Sequence, residues 1–215
     1  MRQETIDGKL LFAKTALGNA RSVVPVNESL ALFGYDNTKL DQGMALYTST
    51  HELHERQKRE YGEQFEATDV LNVSRAELKV SYMRHLKLAR IALKGNRNAE
   101  ESMQMRGRRK DSLSGMLTQA SAFYANALSS PEVMEAFARF NVTMEVLEAG
   151  KAKVEEVQTH YNAQLKETGE AQQATLERDV ALDQLDEWMG DFTGVVRIAL
   201  ESQPQYLEIL GIVTA

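Results

Sequence analysis

The sequence predicts an all-α protein, and three observations carry that prediction. Prolines stand only at 25, 131 and 204, so the stretches 38–94 and 143–202 are free of them. Long helices require this, because an interior proline removes a hydrogen bond and clashes with the preceding turn. Apolar or small residues at 147, 150, 154, 157 and 161, then at 174, 181, 185, 188, 192, 195 and 199, keep the 3–4 spacing of a helix seam. Alternation with a period of two, the mark of a half-buried strand, is nowhere sustained.

The sequence also matches itself without gaps at an offset of 107 residues. Arg90-Ile91-Ala92-Leu93 returns as Arg197-Ile198-Ala199-Leu200, and Asn19/Asn126, Ala20/Ala127, Leu40/Leu147, Gly43/Gly150, Gly62/Gly169, Val73/Val180 and Leu78/Leu185 are identical pairs. Composition alone does not hold glycines in register, so the match reads as tandem duplication of a helical unit of about 107 residues. The first repeat is then 1–107 and the second 108–215. Both are expected to share one core as a pseudo-two-fold bundle.

Taken in order, each repeat opens with a first helix of about a dozen residues. The second helix starts at Ser129-Ser130-Pro131-Glu132 in the second repeat, with proline where a missing N–H costs little. Thr38 and Thr143 are expected to cap the third helix. The paired glycines 62 and 169 then predict that each long stretch folds back as a helical hairpin, with one continuous helix as the alternative. After Pro204, Leu207, Leu210 and Ile212 read as a short helix tucked onto the bundle, whereas the more polar counterpart, Glu100 to Met105, reads as a connector.

Composition narrows the function classes. The chain has 215 residues, net charge -6 and pI near 5.4, so it offers no overall positive field to attract a phosphate backbone or an anionic membrane. Cysteine is absent, which removes thiolate nucleophiles, disulfides and cysteine-based metal sites. The apolar run Leu10-Leu11-Phe12-Ala13 is too short for a secretory or membrane segment, so a cytoplasmic protein is expected. Walker, Gly-x-Ser-x-Gly and Gly-x-Gly-x-x-Gly patterns are missing.

Three places remain where chemistry could sit. His51 and His54 share a helix face and are weak metal candidates. They lack the i, i+4 spacing of zinc proteases, and no Glu-x-x-His pair accompanies them, so no metal site is assigned. At the repeat offset, His54, Ser81 and His85 stand where the second repeat has Tyr161, Trp188 and Phe192. Smaller polar groups in place of aromatics could open a ligand-binding pocket; burial of Tyr82, Met83 and Leu86 instead is the alternative. The run Arg106-Gly107-Arg108-Arg109-Lys110 is the one dense basic stretch, and it reads as a solvated connector between the repeats.

The C-terminal segment from Trp188 and Phe192 through Arg197-Ile198-Ala199-Leu200 to Pro204-Gln205-Tyr206-Leu207-Glu208-Ile209-Leu210-Gly211-Ile212 resembles the ending of a group of uncharacterised bacterial all-helical proteins. The resemblance implies a bacterial source and a helical fold, and carries no functional residue with it. The expected function is that of a non-enzymatic interaction or scaffold protein with an unidentified protein partner. The alternative is a small-molecule- or metal-binding bundle with its site between the repeats. No catalytic residue, cofactor, membrane or nucleic-acid partner is expected.

Overall fold

The computed structural model describes residues 5–212, and all the regular secondary structure among them is helical. The outermost ends of the two expected repeats, at Met1 and Ala215, lie outside the described residues. The helices are α1 (Ile6–Ser22), α2 (Val24–Ala31), α3 (Asn37–Ala92), α4 (Arg97–Ser102), α5 (Leu113–Ser129), α6 (Pro131–Ala138), α7 (Met144–Ala199) and α8 (Gln205–Ile209). Among the described residues no helix is long and apolar enough to cross a membrane.

Local chemistry sets the helix ends, and it does so alike at positions 107 apart. Thr5 accepts from the Gly8 N–H at 3.1 Å to start α1, and Ser112 accepts from the Gly115 N–H at 3.2 Å to start α5. Ser130 caps α6 through the Val133 N–H, next to the expected proline. Thr143 caps α7 through the Val146 N–H. Thr38 does not do this for α3, because it lies inside the helix. Asp36 accepts from the Lys39 N–H at 2.9 Å instead, its carboxylate also meeting the positive end of the helix dipole.

The C-terminal ends recur too. Gly34 (φ 83°) and Asn141 (φ 55°) end α2 and α6 in the left-handed region, which glycine and then asparagine tolerate best. The chain closes there by bonds from Tyr35 N–H to Leu30 C=O and from Val142 N–H to Phe137 C=O.

The hairpins expected at Gly62 and Gly169 do not form. α3 and α7 are single helices of 56 residues each. Both glycines have helical surroundings and nothing within 4 Å of a Cβ built on them, so neither serves a turn or a close approach. A glycine inside a helix costs about 1 kcal/mol relative to alanine, too little to stop a helix that packs on both sides of it.

The chain forms two compact units: one from residues up to Tyr61 with Glu170 onward, the other from Gly62 to Gly169. These units cut across the two stretches 1–107 and 108–215 expected as repeats, each joining the opening of one to the close of the other. In the first unit α1, α2 and the first half of α3 pack with the second half of α7 and α8; Leu10, Leu17, Leu30, Leu40, Leu185, Phe192 and Leu210 lie in its core. In the second unit α5, α6 and the first half of α7 pack with the second half of α3 and α4, around Leu78, Leu86, Phe123, Tyr124, Phe137 and Leu147. Within each unit the two long helices run antiparallel. Gly43 meets Trp188 and Thr50 donates to the Ala181 carbonyl in the first unit; Gln64 meets Thr168 and Glu77 pairs with Lys153 in the second.

The segment read as a polar connector is also packed. Ala99, Met103 and Met105 are buried, as Leu207, Leu210 and Ile212 are in the first unit. Asn126 donates to the Ser102 carbonyl at 3.0 Å and Asn19 to the Ile209 carbonyl at 2.7 Å. These two amides hold the short helices down, which accounts for the Asn19/Asn126 identity.

Two glycines let aromatic rings rest on helix backbone. A Cβ on Gly43 would lie 2.5 Å from the Trp188 ring, and one on Gly150 2.3 Å from the Tyr124 ring. Gly43, Gly150, Gly62 and Gly169 therefore separate by substitution. Gly43→Ala and Gly150→Ala should each destabilise by about 1–3 kcal/mol through overpacking, whereas Gly62→Ala and Gly169→Ala should each stabilise by up to about 1 kcal/mol. Urea denaturation followed by circular dichroism checks this, and a loss of stability in Gly62→Ala would sink the continuous-helix account.

Candidate functional site

The residues singled out in the sequence sit in both units. His54 lies in the first. Its Nε2 is 3.1 Å from Asp7 Oδ1, and its Nδ1 is buried without a partner. Asp7 is exposed, and the His54 ring followed by Lys58 holds its carboxyl below the usual aspartate value. His51 is exposed and lies against Tyr47, ring centroids 5.9 Å apart. Neither histidine belongs to a cluster of three or more potential metal donors among the described residues.

Ser81 and His85 lie in the second unit. His85 is buried together with Tyr82 and Leu86, so α3 buries the polar residue and its apolar neighbours at once. The space is filled by Tyr124, the counterpart of Leu17. In the first unit Trp188 covers Gly43 and stacks on Phe192 at 5.4 Å. In the second, Ser81 and His85 replace those two rings, and Tyr124 covers Gly150 from α5 with its hydroxyl 3.0 Å from His85 Nδ1. The covering ring thus comes from α7 in the first unit and from α5 in the second. Burial, with Arg84 adding to it, depresses the His85 pKa; burial, with Tyr82 adding to it, raises that of Tyr124. Both shifts favour a neutral pair, which serves as a buried polar contact.

Charged groups on the second unit form a different arrangement. A cavity of about 230 Å³ lies between the second half of α3, the segment ahead of α5, and α5 itself. Arg75, Lys79, Arg109 and Lys110 line it, with Tyr82, Met83 and Met116. Arg109 is held in place by the Tyr82 hydroxyl at 2.7 Å and the Arg106 carbonyl at 2.6 Å, and Arg75 by the Asp111 carbonyl at 2.7 Å. The Lys110 stem lies on Gly115, where a Cβ would meet it at 2.5 Å. The basic run is thus built into the unit and is only in part a solvated connector. Arg106 pairs with Glu100 and Arg108 with Asp111.

A second arrangement lies on the long helices. Val73, Ala76, Val80, Arg84, Lys87 and Ile91 are all exposed and fall within about 80° of the α3 circumference. Their counterparts on α7, Val180, Asp183, Glu187, Asp191, Gly194 and Ile198, are equally exposed. The two faces share their valine and isoleucine positions and carry opposite charge. Reading polarity at 54, 81 and 85 missed this. The available signal was the sign change from Arg84 to Asp191, readable from the same offset.

Compared with family models, curated proteins and solved structures, the chain matches none.

The buried histidine has a consequence for pH dependence. Its folded pKa is depressed below the ordinary 6.5, so the unfolded chain takes up the proton first. Stability from this group is complete above about pH 6.5 and falls as pH drops towards the folded value. Urea midpoints measured across that window should decline in the wild type and decline less in His85→Phe, at a cost of about 1–3 kcal/mol for the Tyr124 hydroxyl left unpaired. Parallel declines in the two proteins would assign the pH dependence elsewhere.

Proposed function

We propose that this chain is a non-enzymatic helical interaction protein, made by tandem duplication of a unit of about 107 residues, and that its partner is a second copy of itself docked head to tail. Duplication is supported by the recurrence of 17-, 8- and 56-residue helices in the same order and at the same offset. The observation that carries the partner is the pair of exposed faces with matched aliphatics and opposite charge.

Val73 and Ile91 are each 61% exposed, and Val180 and Ile198 are 59% and 61% exposed. Identities at buried positions need no explanation beyond packing, whereas large aliphatics kept at two exposed, corresponding sites point to something that covers them. Around them the α3 face carries Arg84 and Lys87, with Lys94 just beyond the helix; the α7 face carries Asp183, Glu187 and Asp191, with Glu201 just beyond. Such a face repels its own kind and attracts the other, so two molecules pair basic face to acidic face. An interface of this type is heterologous and leaves one face of each kind free, giving rings or filaments.

Its strength is modest. The span from Val73 to Ile91 rises about 27 Å, and exposed ion pairs contribute about 0.2–1 kcal/mol each. Association is therefore expected to be transient and to weaken with salt, which screens exposed charges beyond roughly 8–10 Å at physiological strength.

Sedimentation velocity tests this. Wild-type protein at low ionic strength should sediment faster as concentration rises and revert to monomer in about 1 M salt. Arg84→Glu with Lys87→Glu makes both faces acidic, and Glu187→Lys with Asp191→Lys makes both basic. Each double variant alone should stay monomeric, and an equimolar mixture of the two should associate. A wild type that stays monomeric at low salt, or variants that associate as the wild type does, would refute self-docking.

The alternative of a small-molecule-binding bundle is favoured by a separate observation, the cation-lined cavity, and is argued next.

A further inference from the structure

We infer that the cavity between α3 and the segment leading into α5 binds a small phosphorylated molecule, held by Arg75, Lys79, Arg109 and Lys110. Among the described residues none of these four side chains is paired with a carboxylate. The one acid among the lining residues, Asp111, faces Arg108 at 3.2 Å. Four like charges around one cavity repel one another, and the groups that position them are neutral: a tyrosine hydroxyl and backbone carbonyls. Neutral acceptors fix a guanidinium without discharging it. Arg109 Nε is buried and has no acceptor at all, an unmet donor that a bound oxyanion would satisfy.

The first unit folds without cations at the counterparts of Arg75 and Lys79. At the corresponding positions of the first unit, Asn72, Arg75, Ala76 and Lys79 become Asp179, Leu182, Asp183 and Asp186. Asp186 is there neutralised by Lys9, the counterpart of Met116. In the first unit Asp186 pairs with Lys9 and Asp179 with Arg178, whereas the four cations of the second have no carboxylate partner among the described residues. The difference lies on the ligand side of the ledger, since both cores close without it.

The cluster also selects among anions. A phosphomonoester carries a charge of about −1.5 to −2 and three strong acceptor oxygens, which suits several cations better than a single carboxylate does. Arginine forks add bidentate geometry. Met83 and Met116 line the same cavity, so the phosphate is attached to a compact apolar body. The volume of about 230 Å³ lies below the 300–1,000 Å³ of ordinary drug-sized sites, which calls for a small molecule.

Isothermal titration calorimetry on the full chain, with phenyl phosphate, inorganic phosphate and benzoate as probes, tests the inference. Phenyl phosphate should bind one to one, more tightly than inorganic phosphate and roughly tenfold or more above benzoate. Lys79→Glu should weaken phenyl phosphate roughly tenfold or more with an unchanged melting temperature, because Lys79 is exposed and the first unit already carries an acid at the corresponding position. Arg109→Met provides a second variant, with amide shifts at Tyr82, Met83 and Met116 locating the ligand by NMR. No binding of phenyl phosphate, equal affinity for benzoate, or an unaffected Lys79→Glu variant would each overturn the proposal. Binding of a phosphoserine peptide without phenyl phosphate would also overturn it, placing the phosphate on a protein. None of the four cations is among the residues argued for self-docking, so the two readings fail independently.

Discussion

Each unit depends on a flat ring lying on a helix backbone where a glycine leaves room for it: Trp188 on Gly43 in one, Tyr124 on Gly150 in the other. Any larger side chain would hold the helices apart, and the apolar layers on either side would lose contact, since packed cores tolerate gaps of a fraction of an ångström poorly. The ring arrives from α7 in the first unit and from α5 in the second. Much of the divergence between corresponding positions follows from that exchange. Ser81 stands where a tryptophan would compete with Tyr124, and Leu17 stands where a tyrosine would compete with Trp188. Tyr35, set edge-on to Trp188 at 5.6 Å, is replaced by Val142 where no indole needs a neighbour.

His85 follows from the same exchange. Phe192 stacks on Trp188, but its counterpart faces a phenol, and an imidazole offers that hydroxyl a partner inside the core. The polarity at His85 thus meets the Tyr124 hydroxyl inside a filled core. It costs little while the pair is neutral, and burial keeps it neutral.

What was legible in the sequence was what local chemistry decides. Helical class, the second-helix start at Pro131, the Thr143 cap and the recurrence at 107 residues are all read from propensities, caps and spacing. What was not legible was decided over longer range. Gly62 and Gly169 resemble breaks because a glycine weakens a helix locally, but the packing of α3 and α7 on both sides outweighs about 1 kcal/mol. The compact units were hidden for the same reason: once the helices run on, the end of each repeat meets the beginning of the other, and sequence adjacency no longer says which residues share a core. The basic run at 106–110 was visible, but its partners Arg75 and Lys79 lie on α3, some thirty residues earlier, so only the fold assembles them.

The two faces and the cavity share a cause. Where a chain repeats its own architecture, core positions are constrained to agree in volume, and surface positions are free to part. On the α3 and α7 faces they have parted in sign while keeping Val73/Val180 and Ile91/Ile198. Drift alone would erode exposed aliphatics and scatter the charges. Around the cavity the corresponding positions differ again, with Asp186 paired to Lys9 in the first unit and Lys79 unpaired in the second. Uncompensated like charge destabilises the unit that carries it. A ligand that binds only the folded state returns that stability in proportion to its concentration. The segment running into α5 is tied to α3 through Arg75 and through the bonds of Arg90 to the Met105 carbonyl at 2.9 and 2.7 Å, so the position of Arg109 and Lys110 is set by the same helix that carries Arg75 and Lys79.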